Sequence, residues 1–174
     1  MPAQGHPHRI AFVRLHDVPP EAIMAHMTDP RVAAHMPLFD FTWTPQRQAA
    51  FLAAKQACWQ RDGLGHWAIL RDGVYAGWGG FERDGDAWDF GLVLKPDCFG
   101  LGLSVLRKAL AIAGAEARIA AVTFLLPHSR KRMRALERLG ARFIGQVRHG
   151  GAHFCKFRLE TPGEGGDCCD SARK

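Results

Sequence analysis

Leu92-Val93-Leu94-Lys95-Pro96-Asp97-Cys98-Phe99-Gly100-Leu101-Gly102-Leu103-Ser104 reads as an apolar strand, a short turn, a Gly-x-Gly step and the start of an amphipathic helix. A helix start presents backbone N–H groups without internal partners at the positive end of the helix dipole. Glycines at that point let an anion come close to those groups. The segment therefore points to a phosphate-bearing cofactor; a tight strand-to-helix turn with no ligand is the other reading of the same residues. A dinucleotide fingerprint is excluded, because Val105 stands where its third glycine belongs. A Walker loop is excluded too, because Gly102 is followed by Leu103 and Ser104 rather than Lys and Ser/Thr.

Upstream, the alternation in Arg9–Leu15 predicts a first strand. Helices are expected over Ala22–Met27, from Thr28-Asp29-Pro30 to Met36, and over Arg47 to about Gln60 with Phe51, Ala54 and Cys58 inward. His66–Leu70, Val74–Glu82 and Ala87–Leu94 follow as strands, joined by Asp72-Gly73 and Asp84-Gly85 turns, and form an antiparallel meander. Within Ala87–Leu94, Trp88, Phe90, Leu92 and Leu94 share one face, while Asp89, Gly91 and Val93 share the other. The helix from about Leu101 to Ala117 carries the stripe Leu103, Leu106, Leu110 and Ala113. Ala120–Leu126 is a continuous apolar run that reads as a buried strand, parallel to Ala87–Leu94 because a helix connects the two. Ser129 caps a helix to Leu139, and Ala141–His149 with Ala152–Leu159 make a closing hairpin through Gly150-Gly151. The fold class is thus α+β: a mixed, mostly antiparallel sheet of about seven strands with one parallel pair and about four helices. Residues 1–160 form a single domain, and 161–174 read as a flexible tail.

The 174 residues carry a net charge of +6, much of it in Arg130-Lys131-Arg132-Met133-Arg134 and Arg138. Such a run is usually a solvated helix face. It has no interleaved aromatic residues, so base stacking on nucleic acid is not supported. The five cysteines (Cys58, Cys98, Cys155, Cys168, Cys169) lack C-x-x-C spacing, which argues against a disulfide framework or zinc site and for a reducing cytoplasm. The nine histidines are scattered, and no metal is expected. No apolar run is long enough to span a membrane.

The order of these elements resembles the GNAT superfamily of N-acetyltransferases, and within it the group named for ribosomal-protein alanine acetyltransferases. Met27-Thr28-Asp29-Pro30 through Met36-Pro37 resembles that group's early helix ending in proline. His66-Trp67-Ala68-Ile69 resembles its W-A-I strand, and Asp89-Phe90-Gly91-Leu92 through Pro96-Asp97-Cys98-Phe99-Gly100-Leu101-Gly102 resembles its E-I-G-Y…P-E-Y-W-G-K-G segment. Glu137-Arg138-Leu139-Gly140 resembles E-K-L-G. The resemblance covers about Arg9 to Leu159.

The resemblance implies acetyl-coenzyme A as acetyl donor, its diphosphate on the N–H groups of Phe99, Gly100, Leu101, Gly102, Leu103 and Ser104. Its pantetheine arm would pair with the backbone of Leu92, Val93 and Leu94. Ser129 would hydrogen-bond the arm or simply cap its helix, and Arg132 would meet a phosphate. Asp89 stands where the group has a glutamate and is the first candidate for the general base; Glu82 is the second, with pairing to an exposed arginine as its plainer role. The tyrosine that many relatives use to protonate the leaving thiolate is Leu136 here, which leaves Ser129 or water for that step. His149 and His153 read as solvated edge-strand residues, and Cys155 as core. Trp43, Trp59, Phe39 and Phe41 lie in the segment that shapes the acceptor pocket. The acceptor expected is a small amine, an amino acid or a protein N-terminus, and a dimer through the closing hairpin is implied by the resemblance. A fold relative that binds coenzyme A without turnover remains the alternative.

Overall fold

A computed structural model describes residues 8–36, 42–127 and 133–161 of the chain. The strands are β1 (Ile10–Arg14), β2 (His66–Arg71), β3 (Val74–Asp84), β4 (Ala87–Leu94), β5 (Ala121–Pro127), β6 (Arg142–His149) and β7 (Ala152–Glu160). The α-helices are α1 (Pro20–Met27), α2 (Pro30–Ala33), α3 (Pro45–Asp62), α4 (Gly102–Gly114) and α5 (Met133–Arg138). All seven strands form one sheet in the order β1-β2-β3-β4-β5-β7-β6, in which only β4 and β5 run parallel.

The helices begin where elementary chemistry puts them. Pro20, Pro30 and Pro45 stand at the first helical position, where a missing N–H costs nothing. Asp29 and Thr44 cap α2 and α3 by accepting from the N–H groups of Arg31 and Arg47. Gly63, at φ 64°, closes α3 in the left-handed conformation.

Two packed layers enclose the sheet. Leu106, Ala109 and Ala113 of α4 pack with Trp67, Phe81, Trp88, Phe90 and Val122. Ile23 and Met27 of α1 and the half-buried Phe51 and Leu52 of α3 pack with Ala68, Tyr75 and Trp78.

Four expectations need correction. Pro96–Leu101 is a 3-10 turn, so α4 starts only at Gly102 and ends at Gly114. Its inward stripe is accordingly Val105, Leu106, Ala109 and Ala113, and Leu103 is 38% exposed. On α3 it is Lys55, not Ala54, that turns toward the sheet. Thr161 is fixed rather than loose: its N–H donates to the Ala120 carbonyl at 3.0 Å and its hydroxyl to that of Ile119. Residues 162–174 lie outside the described residues.

Candidate active site

β4 and β5 pair only at Trp88↔Val122 and Asp89↔Thr123. Beyond those residues β4 stays paired with β3 as far as Leu94, and β5 stays paired with β7 as far as Pro127. The two parallel strands therefore diverge and leave a gap in the middle of the sheet. Backbone groups alternate in direction along a strand. The N–H of Lys95, just past the end of β4, donates to the Ala76 carbonyl of β3 at 2.8 Å, while the Trp88 carbonyl accepts from Thr123 of β5. Odd-numbered residues of β4 thus address β3, and the backbone groups of Phe90, Leu92 and Leu94 face the gap. An extended amide-bearing ligand can pair with that open edge.

The gap leads into the Gly-x-Gly step. Neither Gly100 nor Gly102 has a positive φ, so the backbone does not require glycine at either place. A Cβ added at Gly100 or Gly102 would meet nothing within 4 Å. The glycines leave room in front of the chain rather than room for the chain to turn. Leu101 precedes α4 and supplies no side-chain cap, so the first-turn N–H groups keep their capacity for an anion. Phe99 and Leu103 flank the step and are both exposed. These features fit a diphosphate-bearing ligand with an extended arm. Ser129 and Arg132 lie outside the described residues.

Asp89 stands at the point where the strands part. Thr123 Oγ1 donates to Asp89 Oδ1 at 3.0 Å. Burial pushes the carboxyl up to about 6, against the Thr123 hydrogen bond and the charge of Lys156. Glu82 is the direct cross-strand partner of Asp89, on the same face. It is not paired with an arginine: Lys55 Nζ, 16% exposed, lies 2.7 Å from Glu82 Oε2. Glu82 is thus held as an ion pair, and the proton affinity of Asp89 is tuned toward neutral pH.

His66 joins this face. The row His66–Gly80–Gly91 crosses three strands. Its Nε2 lies 3.5 Å from where a Cβ on Gly91 would stand, so the imidazole reaches over Gly80 to β4. A Cβ on Gly80 would collide with the Gly65 carbonyl, which is why that position is bare. Burial, with the charge of Lys55, lowers the His66 pKa to about 3. A base that weak accepts a proton poorly at neutral pH, and Asp89 outranks it.

Leu136 is buried in the main core with Phe157 and Leu159, and Tyr75 hydrogen-bonds His26 at 3.0 Å in the α1 layer. Neither supplies an acid to the gap. His149 and His153 are exposed, and Cys155 is buried. Of the four aromatic candidates for an acceptor pocket, Trp59 lines a cavity, Trp43 packs on Phe51, and Phe39 and Phe41 lie outside the described residues.

The two buried imidazoles predict acid lability. Burial lowers His26 to about 4 and His66 to about 3, so the unfolded chain takes up protons near pH 6.5 that the folded chain refuses. Stability is lost as pH falls from 6.5 toward 4, by about 1.4 kcal/mol per pH unit for each imidazole. Asp89 acts in the opposite sense between pH 6 and 3.8 and offsets about one of the two. The urea midpoint is expected to drop steadily between pH 6 and 4.5, with a His26→Gln, His66→Gln double variant showing no such drop. A level wild-type midpoint would mean that the imidazoles are solvated.

No family model and no curated protein matches the chain. Solved structures do. An N-acetyltransferase from Staphylococcus aureus Mu50 superposes with a TM-score of 0.69 at 13% identity, covering 90% of this chain and 99% of that one. A spermidine N-acetyltransferase from Vibrio cholerae, solved with CoA and spermine, gives 0.68 at 10% identity over 88% and 95% of the two chains. A GNAT-family acetyltransferase from Bacillus anthracis gives 0.68 at 15% identity over 91% and 97%. The parted parallel strands and the helix that starts at their open end are thus set in the fold of the GNAT acetyltransferases.

Proposed function

We propose that this protein is an acetyltransferase of the GNAT type that moves the acetyl group of acetyl-coenzyme A to a primary amine by direct transfer in a ternary complex. The observation that carries this reading is the continuity of the open β4 edge with the bare glycines at the start of α4. One ligand with a diphosphate at one end and an amide-bearing arm at the other satisfies both features.

The chemistry needs a neutral amine, a polarised thioester carbonyl and a tolerable leaving group. Backbone N–H groups of Phe90, Leu92 and Leu94 are aimed into the gap and can stabilise the oxyanion. Asp89 takes the proton of the attacking amine, directly or through one water. The nitrogen lone pair attacks the carbonyl carbon, the carbon–sulfur bond breaks, and the thiolate leaves with the electron pair. Thiols have pKa values near about 8.5, so the thiolate can take its proton from water without a tyrosine. The segments resembling the ribosomal-protein alanine acetyltransferase group support a place near it and keep a protein N-terminus among the acceptors.

A thermal-shift titration with acetyl-coenzyme A, beside dephospho-coenzyme A and adenosine diphosphate, tests the reading. Ligand at 100 times its Kd adds about 2.7 kcal/mol, a Tm rise of about 5 °C or more for a chain of this size. The rise is expected to need the pantetheine arm, and thiol release in an amine screen is expected to follow. No shift at millimolar ligand would overturn the assignment; a shift without turnover on any amine would favour a silent coenzyme A-binding module.

A further inference from the structure

A cavity of about 330 Å³ lies between the end of β1 and α3, at the lower end of the range for small-molecule sites. Leu15, Leu52 and Trp59 give it an apolar wall, and Arg14 and Lys55 give it a cationic one beside the neutral imidazole of His66. Among the described residues, none that line it is acidic. Lys55 is committed to Glu82, whereas Arg14 gives only its backbone N–H to a carboxylate, that of Asp17, and leaves its guanidinium without a charged partner among the described residues. Its guanidinium lies 3.5 Å from the centre of the Trp59 ring and has no carboxylate partner among the described residues. A flat cation held on an aromatic face keeps its N–H fork free for a bidentate anion.

His66 connects this cavity to the reacting edge, because it lines the cavity while its Nε2 reaches Gly91, next to Leu92. It is 4% exposed, and its Nδ1 is buried without a hydrogen-bond partner. A buried polar atom left unpaired in a wall is a place where a ligand group completes the structure.

We propose that this cavity is the acceptor pocket and that it selects an amine carrying a carboxylate on an apolar body. Arg14 receives the carboxylate, Leu15, Leu52 and Trp59 cover the body, and His66 steers the amine end toward β4. A polycation has no matching surface here, since Glu82 is neutralised by Lys55 and the pocket itself is basic.

The proposal rests on the acetyl-transfer reading, and its test separates the two. Thiol release is measured on the full chain with saturating acetyl-coenzyme A and matched acceptors, phenylalanine against phenethylamine and leucine against isopentylamine. Comparing each kcat/KM ratio between wild type and Arg14→Gln cancels the amines' own basicity. Loss of one charge-assisted bidentate contact is expected to lower the carboxylated-over-plain ratio by about 30-fold, and Arg14→Lys is expected to recover part of it. Should Arg14→Gln not fold, the wild type suffices: N-acetyl-phenylalanine is expected to raise Tm where N-acetyl-phenethylamine at equal concentration does not.

A ratio unchanged by the substitution, equal shifts with both acetylated compounds, or a preference for spermine would overturn the carboxylate assignment while acetyl transfer stands. Thiol release from no amine, with a shift from the carboxylated compound alone, would uphold the anion site and overturn the transfer reading.

Discussion

Asp89→Asn is expected to lower kcat by roughly 10²–10⁴ at neutral pH and, at the same time, to raise the melting temperature. Both effects come from one feature. Burial lifts the carboxyl to about 6, from an ordinary value of 3.8, so at pH 7 the folded chain holds an ionised group that its surroundings disfavour. A carboxylate whose folded pKa is raised gains stability as pH falls from about 6 to 3.8, and is a burden above that window. Asparagine removes the charge and keeps an oxygen to accept from Thr123, whose Oγ1 lies 3.0 Å from Asp89 Oδ1. The gain is about 1–3 kcal/mol, or several degrees in Tm. A carboxylate kept only for structure would give the reverse, a less stable variant with near-normal turnover. The pH profile adds a second check. Below about 6, wild-type kcat/KM is expected to fall a further tenfold or so per pH unit beyond the fall set by the amine, and the Asn variant to lack that extra fall. The separate limb set by the free amine should persist in both. Normal turnover by a fully folded variant would remove Asp89 from the mechanism.

How much of this site the sequence discloses depends on what fixes each residue. Chain-local features are plain in it. The alternation in Trp88–Leu94 sets the faces of β4, and the glycines of Gly100-Leu101-Gly102 sit between a strand and a helix as their spacing suggests. Asp89 is found on the face that its parity assigns. Features set by packing between elements are not legible. Apolar spacing on α3 picks out Ala54, yet the inward side runs through Gln48, Lys55, Cys58 and Asp62, because Glu82 draws Lys55 in. The polar residues at helical spacing were the available signal. His66 matters only through its register with Gly80 and Gly91, and a bulge at Ile69/Leu70 separates it from the simple alternation of β2. The 3-10 turn before α4 moves the stripe on that helix by part of a turn and frees Leu103. The parting of β4 from β5 leaves no mark in either strand taken alone, since both stay apolar past the last pair.

Gly100→Ala with Gly102→Ala is expected to weaken coenzyme A binding by at least about 30-fold with no loss of stability. Stability and affinity separate here because the glycines do not serve the fold. Gly102 has φ −51° and ψ −43°, an ordinary helical conformation, and neither site has a neighbour within 4 Å of an added methyl. In such places alanine usually stabilises, by up to about 1 kcal/mol, because it restricts the unfolded chain. What the methyls occupy is the space through which an anion approaches the first N–H groups of α4. Holding a diphosphate even about 1 Å farther off replaces short charge-assisted hydrogen bonds by long ones, and each such bond is worth about 1.5–3 kcal/mol. The loss should therefore concentrate in the diphosphate. Affinity for acetyl-coenzyme A falls, while that for a pantetheine fragment lacking phosphate stays level, because the β4 edge that holds the arm is untouched. Titration calorimetry with both ligands, alongside thermal melts, reads the three quantities in one set of samples. A double variant that keeps full affinity would move the diphosphate away from this helix start. One that loses stability would show that the open space at these glycines is filled by the protein itself.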